Sequence, residues 1–381
     1  MSTRSNAMQV ETLLVVHHRR RFLLHAVVLT AIYGLLGLLA WRFGVGSDRL
    51  AAGVFTDGGP DTLSGHPPLL LIGHLIARHP VVLAAIVGGT TIGYLSYYAT
   101  TYAGSVPLRV LLVIYIVLSP SMITLVLFNV DWFLLVALVV ASYGFLLEYC
   151  RRGRGVDIFL CGLALGAAYL VVPESATYAV PFAVAVAATA ASGHSRRIYL
   201  VVLLFPVISA AFGWALLDWH LTGSITAPVP RMAAGVDTEG LLGLALSSGP
   251  FVLLYIIMCV TAAFYSKVMR GVVIVLLVAP VGLIALSVVW ETPIPAFVHV
   301  PLLVSGVVIL YPYLDTVVPQ RILGSVLVLL LVTALVRDSY TVFYQANESV
   351  RRETETVREY GDRGSVAEET PRSALVLDGE E

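Results

Sequence analysis

Apolar stretches of about 18 or more residues recur along this chain, and no other feature constrains its fold so tightly. Each is long enough to cross the roughly 30 Å hydrocarbon layer of a bilayer as a helix. Lipid offers the backbone no hydrogen-bond partners, so such runs close their own bonds as α-helices. One water-soluble core has no room for them all. Of 381 residues, 58% are hydrophobic and 12% charged, where soluble domains carry about 25% charged residues. Mean hydropathy is +0.88. The expected class is all-α, a polytopic integral membrane protein. Eleven transmembrane helices are expected at 22–43, 80–102, 108–129, 132–149, 156–172, 175–191, 198–217, 249–265, 271–289, 297–313 and 322–336. The stretch 67–77 is too short to span and is expected as an interfacial or re-entrant helix.

The charges agree with this count. With the His17-His18-Arg19-Arg20-Arg21 cluster placed in the cytoplasm, alternation puts Arg109, Arg151-Arg152-Arg154, Arg196-Arg197, Lys267 with Arg270, and Arg321 in cytoplasmic turns. Asp48, Asp57, Asp61, Asp131, Glu174, Asp218, Asp237, Glu239 and Glu291 then fall outside. Arg42, Arg49, Arg78 and Arg231 are the outer exceptions. The expected organisation is a basic cytoplasmic segment 1–21, a transmembrane domain 22–336, and a polar tail 337–381 outside the membrane, helical to about Glu359 and then disordered. The first apolar run is longer than a signal-peptide core and lacks a small-residue cleavage site, so it reads as a retained helix. Lys267 is the only lysine, an arginine bias expected of a GC-rich prokaryotic source, and the expected location is the cell membrane. Cys150, Cys161 and Cys259 show no paired spacing and read as helix-packing residues.

Ionisable groups are costly in lipid, so their clustering is informative. Here they gather on the outer side. The first outer loop reads Gly46-Ser47-Asp48-Arg49-Leu50, then Asp57-Gly58-Gly59-Pro60-Asp61, then Ser64-Gly65-His66-Pro67-Pro68-Leu69-Leu70. Asp131 opens the fourth span and Glu174 follows Pro173 in a short outer turn. Trp214, Asp218, Trp219 and His220 end the seventh span, and Glu291 follows Trp290. Such groups are placed to meet in one outward-facing cavity.

At Gly65-His66-Pro67-Pro68-Leu69-Leu70, soon after the first span and a loop carboxylate, the chain resembles C-type-fold (GT-C) glycosyltransferases through their "HPPL" signature. The resemblance is closer to the protein O-mannosyltransferase and aminoarabinose-transferase branch, which uses polyprenyl-phosphate sugars. Leu118-Ser119-Pro120, followed by Asn129-Val130-Asp131, is similar to that branch's "LSP … R-x-D" pattern, and 162–181 to its Gly-rich fifth helix and turn. The resemblance covers roughly 22–220. Where the family carries an Asp-Glu pair this chain has Asp48-Arg49, and Asn129 stands at the family's arginine.

The resemblance implies transfer of a sugar from a polyprenyl-phosphate donor to a lipid, glycan or protein acceptor, without a cofactor or a metal. Nucleic acid is not among the expected partners. Inverting transfer needs a base for the acceptor hydroxyl, and the phosphate leaving group needs positive charge or backbone donors. Asp48 is the expected base, with Asp57 and Asp61 as further candidates. Their structural readings are a loop ion pair of Asp48 with Arg49 and turn chemistry around Asp57-Gly58 and Pro60. His66 is expected to orient the interfacial helix or contact phosphate. Arg49, Arg78 and Arg231 are candidate phosphate cations, although Arg78 equally suits an interfacial anchor that snorkels to headgroups. Asp131 and Glu174 are candidates to line the cavity or anchor its loops. Trp214, Trp219 and Trp290 fit an interfacial aromatic belt. His74 and His79 lack the carboxylate or cysteine that would complete a zinc set. A transporter or lipid-linked-glycan flippase, and an inactive subunit of a glycan assembly machine, are the competing readings. A transporter should carry ionisable groups at mid-depth on broken helices. Pro120, Pro206 and Pro280 supply candidate breaks.

Overall fold

A computed structural model describes residues 2–42, 68–69, 72, 80–102, 105–128, 130–190, 193–222, 253–266, 269–279, 296–314, 318–319, 321–336 and 339. Among them the regular structure is entirely helical. In chain order the helices are α1 (Ser2–Arg42), α2 (Pro80–Tyr102), α3 (Val106–Leu118), α4 (Pro120–Phe128), α5 (Val130–Arg152) and α6 (Gly155–Tyr169). A short 3-10 helix (Pro173–Tyr178) leads into α7 (Ala179–Thr189) and then α8 (Gly193–Thr222). Further on come α9 (Leu253–Tyr265), α10 (Met269–Ala279), α11 (Ala296–Leu314) and α12 (Arg321–Val336).

Among the described residues, four helices are long and apolar enough to cross a membrane, over Arg20–Leu39, Val81–Thr101, Trp132–Arg152 and Gly193–His220. They divide into two kinds. In α2 and α5, 61% and 56% of the apolar window is buried inside the protein, but only 22% in α1 and α8. The central helix α5 buries Phe133, Val136, Val139, Val140, Tyr143 and Leu147 at helical spacing. On peripheral α8, Val201, Phe205, Ile208 and Phe212 stand exposed along one side. In water such a stripe would be a large apolar patch; against lipid tails it has no desolvation to gain or lose.

Without a hydrophobic force between helices in lipid, packing depends on close approach of small residues. Two glycine pairs with i, i+4 spacing supply it. On α2, a methyl group at Gly89 would overlap the backbone of Thr30, and one at Gly93 that of Ala26. On α6, a methyl at Gly162 would overlap the backbone of Leu203, and one at Gly166 that of Pro206. These pairs seat α1 on α2 and α8 on α6, two of the most extensive helix contacts in the fold.

Three local features depart from the expected spans. The first helix runs back to Ser2, through the segment expected to precede it. The sixth span begins with a 3-10 turn because Pro173 lacks an N–H and Val172 is extended, with φ −143° and ψ 111°. The third span, expected to be continuous over 108–129, is broken at Ser119 (φ −57°, ψ 125°), the residue before Pro120. Steric conflict with a following proline drives that residue out of the α region. The break leaves carbonyls at the end of α3 without helical partners. The hydroxyl of Tyr33 on α1, which is buried, donates to Val117 O at 2.8 Å.

One end of the bundle can be traced through contacts. Phe22 on α1 meets Tyr94 and Tyr97 near the end of α2. Arg151, near the end of α5, donates from Nε to the Tyr313 hydroxyl of α11 at 2.7 Å. Tyr149 meets Tyr199 near the start of α8, ring centroids 5.4 Å apart. Between α5 and α6 the chain reverses at Gly153, whose φ of 67° favours glycine. Arg154 then grips the buried carboxylate of Asp157 with two hydrogen bonds of 3.0 Å. That bonding holds the guanidinium above its already high ordinary pKa. Sequence reasoning passed over Asp157, although an acid three residues inside an apolar run, preceded by Arg154, is a readable signal for such a fork.

Candidate functional site

The opposite end carries the described part of the expected site. Helix α6 stops at Tyr169, and its closing residues Leu170, Val171 and Val172 make the turn into the 3-10 helix. Glu174 sits in the first turn of that element, half-buried. The Thr177 hydroxyl donates to the Glu174 carbonyl at 2.8 Å, which stiffens the turn. Tyr169 packs edge-on against Trp214 of α8, centroids 5.8 Å apart, and the Glu174 carboxylate acts electrostatically on the Tyr169 phenol. One turn beyond Trp214, on the same side of α8, lies Asp218. It is 4% exposed, whereas Trp219 and His220 beside it are exposed.

Part of the "HPPL" stretch joins this group. Pro68 is buried, Leu69 packs against the core, and the Leu69 N–H donates to Leu170 O at 3.3 Å. Leu170 caps α6, so its carbonyl is one that no helical N–H can reach. The Pro68-Leu69 segment is therefore pinned to the end of α6 at Leu170, four residues before Glu174 in the chain. Pro68, Leu69 and Ile72, the described residues of the expected interfacial helix, are helical.

Glu174, Tyr169, Trp214 and Asp218 thus lie at the same end of the bundle as the docked Leu69. For Asp131 only the backbone is described, in the first turn of α5. Asp48, Arg49, Asp57, Asp61, His66 and Arg78 lie outside the described residues, as do His74, His79, Arg231, Asp237, Glu239, Trp290 and Glu291. The tail from residue 340 onward does too.

One feature below this end was not anticipated from sequence. The hydroxyls of Ser175 and Tyr178 are buried without a hydrogen-bond partner among the described residues. So is that of Tyr143, whose ring stacks on Phe182 with centroids 5.8 Å apart. Buried polar groups are ordinarily satisfied, and three unsatisfied hydroxyls mark a polar interior that hydropathy averages hide. Cys161 and Cys259 are buried and Cys150 half-buried, all as free thiols. The Cys161 thiol lies 3.5 Å from Ser142 O, a packing contact between α6 and α5.

Comparison with protein-family models, with curated proteins and with solved structures finds no match in any of the three.

Proposed function

We propose that this chain is an eleven-span membrane glycosyltransferase that moves a sugar from a polyprenyl-phosphate donor to an acceptor on the outer face of the membrane. The reading rests on one observation above the rest. The loop segment at Pro68-Leu69 is docked by a backbone hydrogen bond onto the end of α6, at the end of the bundle that carries Glu174 and the Trp214–Asp218 edge of α8. The proposed base Asp48, with Asp57 and Asp61 as alternatives, lies shortly upstream of this docked segment in the sequence. That suits a base at the membrane surface, where a lipid-borne donor and a water-borne acceptor can meet. Among the described residues no Asp, Glu, Lys or Arg lies in the middle of an apolar run. Surface chemistry fits this distribution better than translocation of a charged substrate does.

One observation favours a transporter or flippase: the third span is split at Ser119-Pro120, and broken helices are typical of transport sites. Yet Tyr33 already supplies a donor to Val117 O at that break.

The test is deletion of the gene in its host, with re-expression at matched membrane levels of the wild type, Asp48→Asn or Glu174→Gln. Mass spectrometry of surface glycoproteins and lipid-linked glycans is the readout. Loss of one sugar on deletion, restored by the wild type and not by Asp48→Asn, is the expected result. Glu174→Gln should restore it partially if Glu174 only anchors the loop. An unchanged glycan profile on deletion overturns the transferase reading. Accumulation of the lipid-linked glycan on the inner leaflet instead supports the flippase.

A further inference from the structure

The arginine-bearing end of the bundle holds a cavity that the proposed transferase chemistry does not use. It measures about 630 Å³ and lies where α5 and α7 end and where α8 and α10 begin. Its walls include Tyr149, Cys150, Thr189, Ser195, Tyr199 and Arg270. Two helices start at these walls, with Ser195 in the first turn of α8 and Arg270 in that of α10. First-turn N–H groups have no acceptor within their own helix and carry the positive end of its dipole. In α10 the Ser266 hydroxyl accepts one of them, from Met269 N at 3.4 Å.

The decisive feature is how charge is compensated around it. The arginines around the α5–α6 turn and those at the starts of α8 and α10 differ in their pairing. Arg151 and Arg152 pair with Glu148 at 3.4 and 2.9 Å, and Arg154 with Asp157 at 3.0 Å. Arg196, Arg197 and Arg270 have no carboxylate partner among the described residues, and no described carboxylate lines the cavity. Arg270 is anchored by a 3.2 Å bond from Nε to Ala263 O, the last turn of α9. That bond uses one edge of the guanidinium and fixes the group in the wall. Glu148 and Asp157 thus serve the arginines of the α5–α6 turn, and no described acid faces Arg270 in the cavity wall.

We propose that this cavity binds a phosphate group, either the headgroup of an anionic lipid or the phosphate of a soluble compound. Arg270 supplies the charge, with Arg196 and Arg197 raising the local potential. Tyr199, also in the wall, carries a hydroxyl suited to a remaining phosphate or glycerol oxygen. The site is independent of the transferase reading, because it sits at the other end of the bundle.

The test uses the full chain in nanodiscs of phosphatidylcholine with stepwise added phosphatidylglycerol, and separately in neutral detergent with inorganic phosphate. Native mass spectrometry counts retained lipid in the first arm, and a thermal shift reports phosphate in the second. The wild type should retain phosphatidylglycerol, or be stabilised by phosphate, with an affinity that Arg270→Gln weakens about tenfold or more. Arg152→Gln removes the same net charge from the same end and should leave binding within about twofold, since Arg152 is not in the cavity wall and pairs with Glu148 at 2.9 Å. Arg197→Gln, on an exposed side chain, repeats the test should Arg270→Gln fold poorly, and is expected to weaken binding several-fold. Retention of lipid without a response to phosphate assigns the site to a headgroup, and the reverse assigns it to a soluble phosphate. Binding of neither probe, or equal losses in Arg270→Gln and Arg152→Gln, overturns the proposal.

Discussion

Tyr33 shows how much one hydroxyl can hold in lipid. The "LSP" stretch forces a break at Ser119, and a broken helix exposes carbonyls that hydrocarbon cannot solvate. Tyr33 is 1% exposed and its hydroxyl reaches Val117 O at 2.8 Å. Tyr33→Phe keeps the ring and its packing and removes the donor. A buried carbonyl left unpaired costs on the order of 1–3 kcal/mol. Thermal unfolding in detergent should therefore show a lowered midpoint. An unchanged midpoint would mean that another donor replaces the tyrosine. Neither partner reveals the bond in sequence, because a tyrosine in an apolar run resembles any other buried aromatic.

The helices meet through glycine. Alanine normally stabilises a helix relative to glycine by up to about 1 kcal/mol. At Gly213 of α8 an added methyl meets nothing within 4 Å, so Gly213→Ala should be neutral or slightly stabilising. At Gly162 the methyl would overlap the backbone of Leu203, and backbone cannot rotate aside as a side chain can. Gly162→Ala should reverse the sign and destabilise by roughly 1–3 kcal/mol, the usual cost of overpacking. Denaturation of both variants in the same detergent checks the pair, and equal effects would remove close approach as the cause. The pair Gly162 and Gly166 belongs to the Gly-rich stretch that sequence alone flagged. The equivalent pair on α2, Gly89 and Gly93, passed unnoticed, because i, i+4 glycines acquire meaning only when a partner backbone lies against them.

Across the whole molecule the two ends differ in kind. One carries Arg270 in the wall of a cavity, and the other carries Glu174, Asp218, Tyr169 and Trp214 at the end where Leu69 docks. The positive-inside rule orients the first toward the cytoplasm. In a Cys150→Ser background, Arg152→Cys and Arg197→Cys should react with an impermeant maleimide only in inverted membrane vesicles. His220→Cys should react only from outside intact cells. Labelling of all three from one side would refute the alternation of spans between 152 and 220. Cys161 and Cys259, both buried, are expected to stay unlabelled until the protein is unfolded.

The sequence by itself determined the helical class, the places of the apolar runs and the confinement of charge to their ends. All three follow from the cost of moving polar groups into hydrocarbon, which each residue bears wherever it packs. Helix positions at 80–102 and around 132–152 were legible for that reason. Only the tertiary structure decided where Leu69 docks, that Tyr33 serves the break at Ser119, and that Asp157 is buried. These depend on which helix lies beside which, over separations such as the 101 residues between Leu69 and Leu170. Hydropathy is a property of one segment, but the choice of a partner is a property of two.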